Sequence, residues 1–472
     1  MTEDATVGTA DARGVGPSAY WCERAWLGTG PPAAGVLVEV LGDRVVDVQV
    51  DRPADAAAVR LPGLVLPGMA DAHSHAFHRA LRGRTSAAGP SGSGSFWDWR
   101  DQMYAIADLL DPDSYFTLAR AAYAEMALAG VSAVGEFHYL HHAPGGVAYS
   151  DPNAMGHALV AAAREAGLRM TLLDACYLTG GVGQPLTGVQ ERFGDGDAER
   201  WAVRADALAA AYDDALDVVI GAAVHSVRAV PPDQVPEVAA WAARRSAPLH
   251  AHLSEQVAEN DACLAAYGRT PAQVLYEAGA LGPRTTVVHA THPSDDDVAL
   301  LGGSTSTVCL CPTTERDLAD GIGPGRSLLE AGCAVALGSD SHAVVDPYEQ
   351  MRAVEMHERL TTGRRGHWTA DELLAAGTTG GHGCLGWPDA GVIAPGARAD
   401  LVAVRTDSVR TAGAGSGAEA VVFAATAADV TDVVVGGRAV VVAGTHRLEE
   451  TLGRDMGTAL AMAVAPLWKD RS

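Results

Sequence analysis

Four short stretches of this chain carry the side chains that metal and acid–base chemistry needs. They are Asp71-Ala72-His73-Ser74-His75, His250-Ala251-His252 followed by Glu255, Val287-Val288-His289, and Gly338-Ser339-Asp340-Ser341-His342. Residues two apart on a β-strand point to the same side, so His73 and His75 can grip one ion together. Imidazole nitrogens mixed with a carboxylate oxygen suit Zn²⁺, and iron or manganese can occupy such a site. A divalent ion bound there would lower the pKa of its water to about 7 and supply hydroxide at neutral pH.

Such residues converge only if the elements carrying them end at one place. Apolar runs at 64–70, 133–138, 170–177, 218–224, 248–253, 286–289, 307–311 and 334–338 alternate with alanine-rich helical segments. That alternation predicts eight βα units and a (β/α)₈ TIM-like barrel, a fold whose catalytic groups gather at the C-terminal ends of its strands. The histidines and Asp340 fall at the ends of the first, fifth, sixth and eighth runs. The β-branched runs 36–40 and 45–50 flank a turn at 41–44, and runs 400–404, 420–423 and 430–442 are strand-like. Two β-rich ends that cannot bury much alone are expected to pair, giving a small β-sandwich domain from 1–66 and 390–472 around a barrel at 67–389. A helical segment at 451–468 is expected to pack across that sheet. The Gly/Ser-rich stretch 85–95 reads as a flexible loop.

The bulk composition removes whole classes of function. A net charge of -24 repels nucleic-acid phosphates and anionic membranes. No apolar run is long enough to span a bilayer, and no apolar leader follows Met1, so a cytoplasmic protein is expected. Lys469 is the single lysine. Schiff-base, phosphate-loop and carbamylated-lysine chemistry in the interior are therefore excluded. The seven cysteines, Cys309 and Cys311 among them, read as buried reduced thiols.

The order H-x-H, His, His, Asp resembles the amidohydrolase superfamily, in particular its mononuclear aminohydrolases. The resemblance implies His73, His75, His252 and Asp340 as ligands of one zinc ion, with iron or manganese as alternatives. It implies His289 and Asp340 as the groups that take a proton and orient water, and Glu255 as the acid that protonates a departing nitrogen. His73-Ser74-His75-Ala76-Phe77, Phe96-Trp97-Asp98-Trp99-Arg100, Glu136-Phe137-His138-Tyr139, His225-Ser226-Val227-Arg228 and His252-Leu253-Ser254-Glu255-Gln256 are similar to the formimidoylglutamate deiminase family of histidine degradation.

That likeness implies a small dicarboxylate substrate held by His78, Arg100, Tyr139, His225 and Arg228. Planar guanidinium groups bind carboxylates in bidentate fashion, which an otherwise acidic protein requires locally. It also implies a homodimer in which Arg228 reaches the neighbouring active site. The family pattern has glutamine where this chain has His78; both can donate to a carboxylate, but the exchange could shift specificity. His138, His141 and His142 read as loop residues. Two rival readings are a ring-specific aminohydrolase for purines or triazines, which Trp97 and Trp99 would serve, and a non-catalytic scaffold, which would have lost ligands that are all present here.

Overall fold

The computed structural model describes residues 18–85 and 96–469; most of the expected loop at 85–95 lies outside them. Eight parallel strands form the barrel: β5 (Met69–Ser74), β6 (Val131–His138), β7 (Arg169–Cys176), β8 (Val218–Val224), β9 (Leu249–Leu253), β10 (Thr285–His289), β11 (Thr307–Leu310) and β12 (Ala334–Leu337), in that spatial order. Every residue of β6 and β7 is buried, as parallel strands sandwiched between core and helices must be. The ring closes between its first and last strands through a parallel bridge from Ser74 to Asp340. There Asp340 N–H donates to His73 O at 2.9 Å and His75 N–H to Asp340 O at 3.2 Å.

Closure needs the two chains to approach unusually near, and Gly338 allows it. A Cβ at that position would lie 2.8 Å from both the Cβ and the carbonyl oxygen of His73. Inside the barrel, Ala72, Val288, Cys309, Cys311 and Ala336 form a floor of small side chains beneath the strand ends. That floor leaves room for several imidazole rings above it.

The second sheet comes from both ends of the chain, with strand order β16-β15-β14-β13-β4-β1-β2-β3. Its members are β1 (Ser18–Ala25), β2 (Ala33–Leu41), β3 (Arg44–Gln49), β4 (Val59–Pro67), β13 (Leu401–Val404), β14 (Val430–Val435), β15 (Arg438–Val442) and β16 (Thr445–His446). Three expectations are corrected here. The run 64–70 is split: its first half ends β4 in the small sheet, and the barrel strand begins at Met69, with only Gly68 between them. The stretch 420–423 is helical, within Ala418–Ala424, where Ala418, Ala420, Val421 and Val422 are buried. The terminal helix Met456–Val464 lies along the barrel helix Pro112–Leu128 rather than across the sheet, and Trp468 Nε1–H donates to Ala80 O at 2.9 Å.

One buried ion pair joins the two parts. Arg169, at the start of β7, pairs with Asp400 just before β13, and Asp400 also accepts Gly436 N–H at 2.8 Å. All the cysteines are free thiols, and all but Cys384 are buried. Among the described residues, no helix is long and apolar enough to cross a membrane.

Candidate metal centre and active-site pocket

At the C-terminal mouth of the barrel, one donor atom from each of His73, His75, His252 and Asp340 lies within 4.8 Å of the others, and all four residues are buried. The two Nε2 atoms of His73 and His252 are 3.0 Å apart, and Asp340 Oδ1 is 3.4 Å from Nε2 of both His73 and His75. Backbone carbonyls fix two of the rings. His75 Nδ1–H donates to Phe137 O at 2.9 Å, and His252 Nδ1–H donates to His225 O at 2.8 Å. A carbonyl can only accept, so each Nδ1 holds the proton and each Nε2 turns a lone pair toward the centre. Burial holds His73 and His252 well below the ordinary histidine pKa, with neighbouring imidazoles adding to the effect, and brings His75 down to about 4. Neutral imidazole is the form that binds a metal, so the donor set fits a divalent ion.

His250, the other histidine of β9, turns away and donates from Nε2 to Cys384 O at 3.2 Å. His342 also stays behind the centre. Ser74 has one hydroxyl proton and gives it to Glu136 Oε2 at 2.8 Å, so His342 Nε2–H donates to Ser74 Oγ at 2.9 Å.

His289 and Glu255 stand beside the cluster. His289 Nε2 is 3.7 Å from both Glu255 Oε1 and Asp340 Oδ2, and its Nδ1 is 3.4 Å from Glu315 Oε1. Burial opposes protonation of His289, but these three carboxylates outweigh it and raise its pKa well above the usual range. Burial raises the Glu255 carboxyl above its ordinary value, against the pull of His289 and Arg228. A proton held between a buried histidine and a buried carboxyl is what hydrolysis with a departing amine requires.

The backbone here is strained. Ser254, His289, Ala290, Asp340 and His342 all have positive φ, 50°, 71°, 47°, 44° and 55°. Left-handed conformations cost non-glycine residues about 1–3 kcal/mol each and persist where packing overrides them, typically at functional sites.

A cavity of about 350 Å³ opens from this centre, and His78, Arg100, Tyr139, His225 and Arg228 all line it. His78 Nε2 is hydrogen-bonded to Tyr139 Oη at 3.1 Å, and its ring lies 4.6 Å from that of His75. Arg100 stacks over Trp97 at 4.3 Å. Arg228 lies 3.4 Å from Glu255 Oε2 and 3.4 Å from Glu259 Oε2. His138 ends β6, whereas His141 and His142 lie in the loop that follows it, and all three are buried. His142 is 3.1 Å from Asp195, which with Asp174 brackets Arg204.

Several residues of this site escaped the sequence reading. Glu315 backs His289, and Glu259 faces Arg228 one helical turn after Glu255, a spacing that could have revealed it. Tyr177 directly follows β7, where the rule that exposed the histidines applies equally.

An eight-stranded barrel with an HxH, His and Asp cluster at its mouth is the architecture of an amidohydrolase, and residues 64–440 match the Amidohydrolase family. The chain belongs to that family and is a hydrolase acting on carbon–nitrogen bonds. More particularly, it is 39% identical to a formimidoylglutamate deiminase of Pseudomonas aeruginosa, over 93% of this chain and 97% of that one. An 8-oxoguanine deaminase from the same organism is 32% identical, over 86% of this chain and 90% of its own. Among solved structures, an amidohydrolase from Brucella melitensis superposes with a TM-score of 0.88 at 31% identity, covering 95% of this chain and 99% of that one.

Proposed function

We propose that this chain hydrolyses N-formimidoyl-L-glutamate to N-formyl-L-glutamate and ammonia, a step of histidine degradation, using one zinc ion. The observation that carries the reading is a single cavity that joins a four-ligand centre to two arginines in a protein of net charge -24. Arg100 and Arg228 give a dicarboxylate the local positive charge that the rest of the molecule denies it. The 39% identical deiminase supports the same substrate.

His73, His75, His252 and Asp340 would hold the ion, whose three-nitrogen, one-oxygen donor set suits zinc; the absence of barrel lysine argues for one ion rather than a bridged pair. When bound, that ion supplies Lewis-acid activation of water. His289 and Asp340 orient the attacking oxygen, and Asp340 takes its proton. Glu255 delivers a proton to the imidoyl nitrogen as its bond to carbon breaks, so that it departs as ammonia. Tyr139, His78 and His225 line the wall beside the reacting carbon and orient the imidoyl group. We also propose a cytoplasmic homodimer.

A ring-deaminating activity is the second reading, favoured by the 8-oxoguanine deaminase relative and by the aromatic side chains Phe96, Trp97 and Trp99 along the cavity. Ammonia release with formimidoylglutamate, 8-oxoguanine and adenosine separates the two. The proposal expects the highest kcat/KM on formimidoylglutamate; turnover of a purine with none of the dicarboxylate rejects it.

A further inference from the structure

A second convergence of metal-capable side chains lies outside the barrel, and the chemistry above does not use it. His138 ends β6 and stands opposite Asp174 of β7 in the sheet register. Both turn toward the surrounding helices: a Cβ at Gly156 would lie 3.6 Å from His138 Nε2, and Asp174 Oδ1 accepts Trp201 Nε1–H at 2.8 Å. One donor atom from each of His138, His141 and Asp174 lies within 4.8 Å of the others, and all three residues are buried. The rings of His138 and His141 are 4.7 Å apart at 87°. That disposition matches His73 and His252 of the first centre, 4.8 Å apart at 86°.

The protons of this cluster leave acceptors facing one another. His141 Nε2–H donates to Ala175 O at 2.9 Å, so its Nδ1 carries a bare lone pair. That Nδ1 is buried without a hydrogen-bond partner and lies 4.0 Å from Asp174 Oδ2. Asp174 Oδ2 accepts one bond, from Arg204 at 2.8 Å, and keeps a second lone pair. Two acceptors shut away from water at this distance repel each other unless something electropositive joins them. His138 Nδ1 is likewise buried and unpartnered. Burial holds His138 well below the ordinary histidine pKa and brings His141 down to about 4, so both rings are neutral near pH 7 and in the form that ligates. Two carboxylates, Asp174 and Asp195, share the single guanidinium of Arg204, which leaves room for further positive charge.

We propose that His138, His141 and Asp174 form a second cation site, separate from the hydrolytic centre, for zinc or another late first-row divalent ion. Two imidazoles and a carboxylate oxygen favour such ions over magnesium or calcium. His142 stays out of the set, with its Nε2 3.1 Å from Asp195. The site is weaker than the four-donor centre, because it has one donor fewer and Arg204 shares its carboxylate. An ion there ties β6 and β7 to the loop after β6, whose Tyr139 lines the cavity. The inference stands apart from the choice of substrate.

The test is equilibrium dialysis of metal-stripped, full-length protein against rising zinc. The wild type should take up a second, weaker equivalent after the tight one, and His252→Ala should keep the weaker equivalent alone. His138→Phe retains a ring and leaves the ion pairs of Arg204 untouched. It should lose the weaker equivalent and keep the tight one, which also certifies its folding. His141→Gln, which keeps a donor for Ala175 O, is the second variant and should behave alike. Zinc beyond the first equivalent should raise Tm in the wild type and leave it unmoved in both variants, and calcium should not substitute. A wild type that stops at one equivalent overturns the site. So does a second equivalent that both variants retain, which would be surface binding by exposed carboxylates. Ammonia release is not the readout, so failure of the substrate reading would leave this result standing.

Discussion

Each residue at the centre has its role set by where its protons can go. His75 and His252 give Nδ1–H to carbonyls and so present bare nitrogens, whereas His250 and His342 spend Nε2–H on other partners. The sequence exposed the set of candidates, because strand ends in a barrel converge. It left the choice between His250 and His252 to the family likeness, since alternation puts both on one face and only the surrounding carbonyls decide. Glu315 was illegible for a similar reason: its partner His289 ends a different strand. Two predictions belong here. Glu255→Gln should lower kcat on the order of 10²–10⁴-fold while the protein keeps its metal, read by ammonia release and metal analysis in parallel. Glu255 and His289 titrate as a pair whose proton is lost as pH rises, giving kcat/KM an alkaline limb. Arg228 favours the charged form of Glu255 and so pulls its pKa down. Arg228→Met should therefore move that limb to higher pH, and a limb that stays where it was contradicts the pairing.

The elements position these residues through a few close approaches. Most barrel strands were legible as buried apolar runs between alanine-rich helices. The first was misread because β4 and β5 are joined through Pro67 and Gly68 without a polar break, so one apolar run crosses two sheets. The segment 420–423 was misread because alanine and valine fit a buried strand as well as a buried helical turn. The seam between β5 and β12 deserves a direct test. Gly338→Ala would force a Cβ against His73 and push the H-x-H pair from Asp340. Metal affinity measured by competition with a chelator should drop at least tenfold. Gly303→Ala, where an added Cβ meets nothing within 4 Å, should leave metal affinity intact. Equal affinity in the two variants would contradict the seam's role.

At the scale of the molecule, the small sheet and the barrel are tied together away from the chemistry. Arg169→Leu would strand Asp400 as a buried, uncompensated charge and should cost about 3–5 kcal/mol. Denaturant unfolding should show that loss with KM unchanged, because the pair lies at the end of β7 opposite the pocket. Arg228 lines the pocket of its own chain, 3.4 Å from Glu255 Oε2. Mixed assemblies of Arg228→Ala and Glu255→Gln subunits should then show no activity beyond the separate variants, whereas recovery would mean the arginine crosses between subunits. All of this rests on His73, His75, His252 and Asp340 sharing one ion. The direct measurement is equilibrium dialysis of metal-stripped protein against zinc: one tightly held equivalent per chain is expected, lost in His252→Ala. A folded wild type that takes up none, or a His252→Ala variant that binds as tightly, would contradict the account.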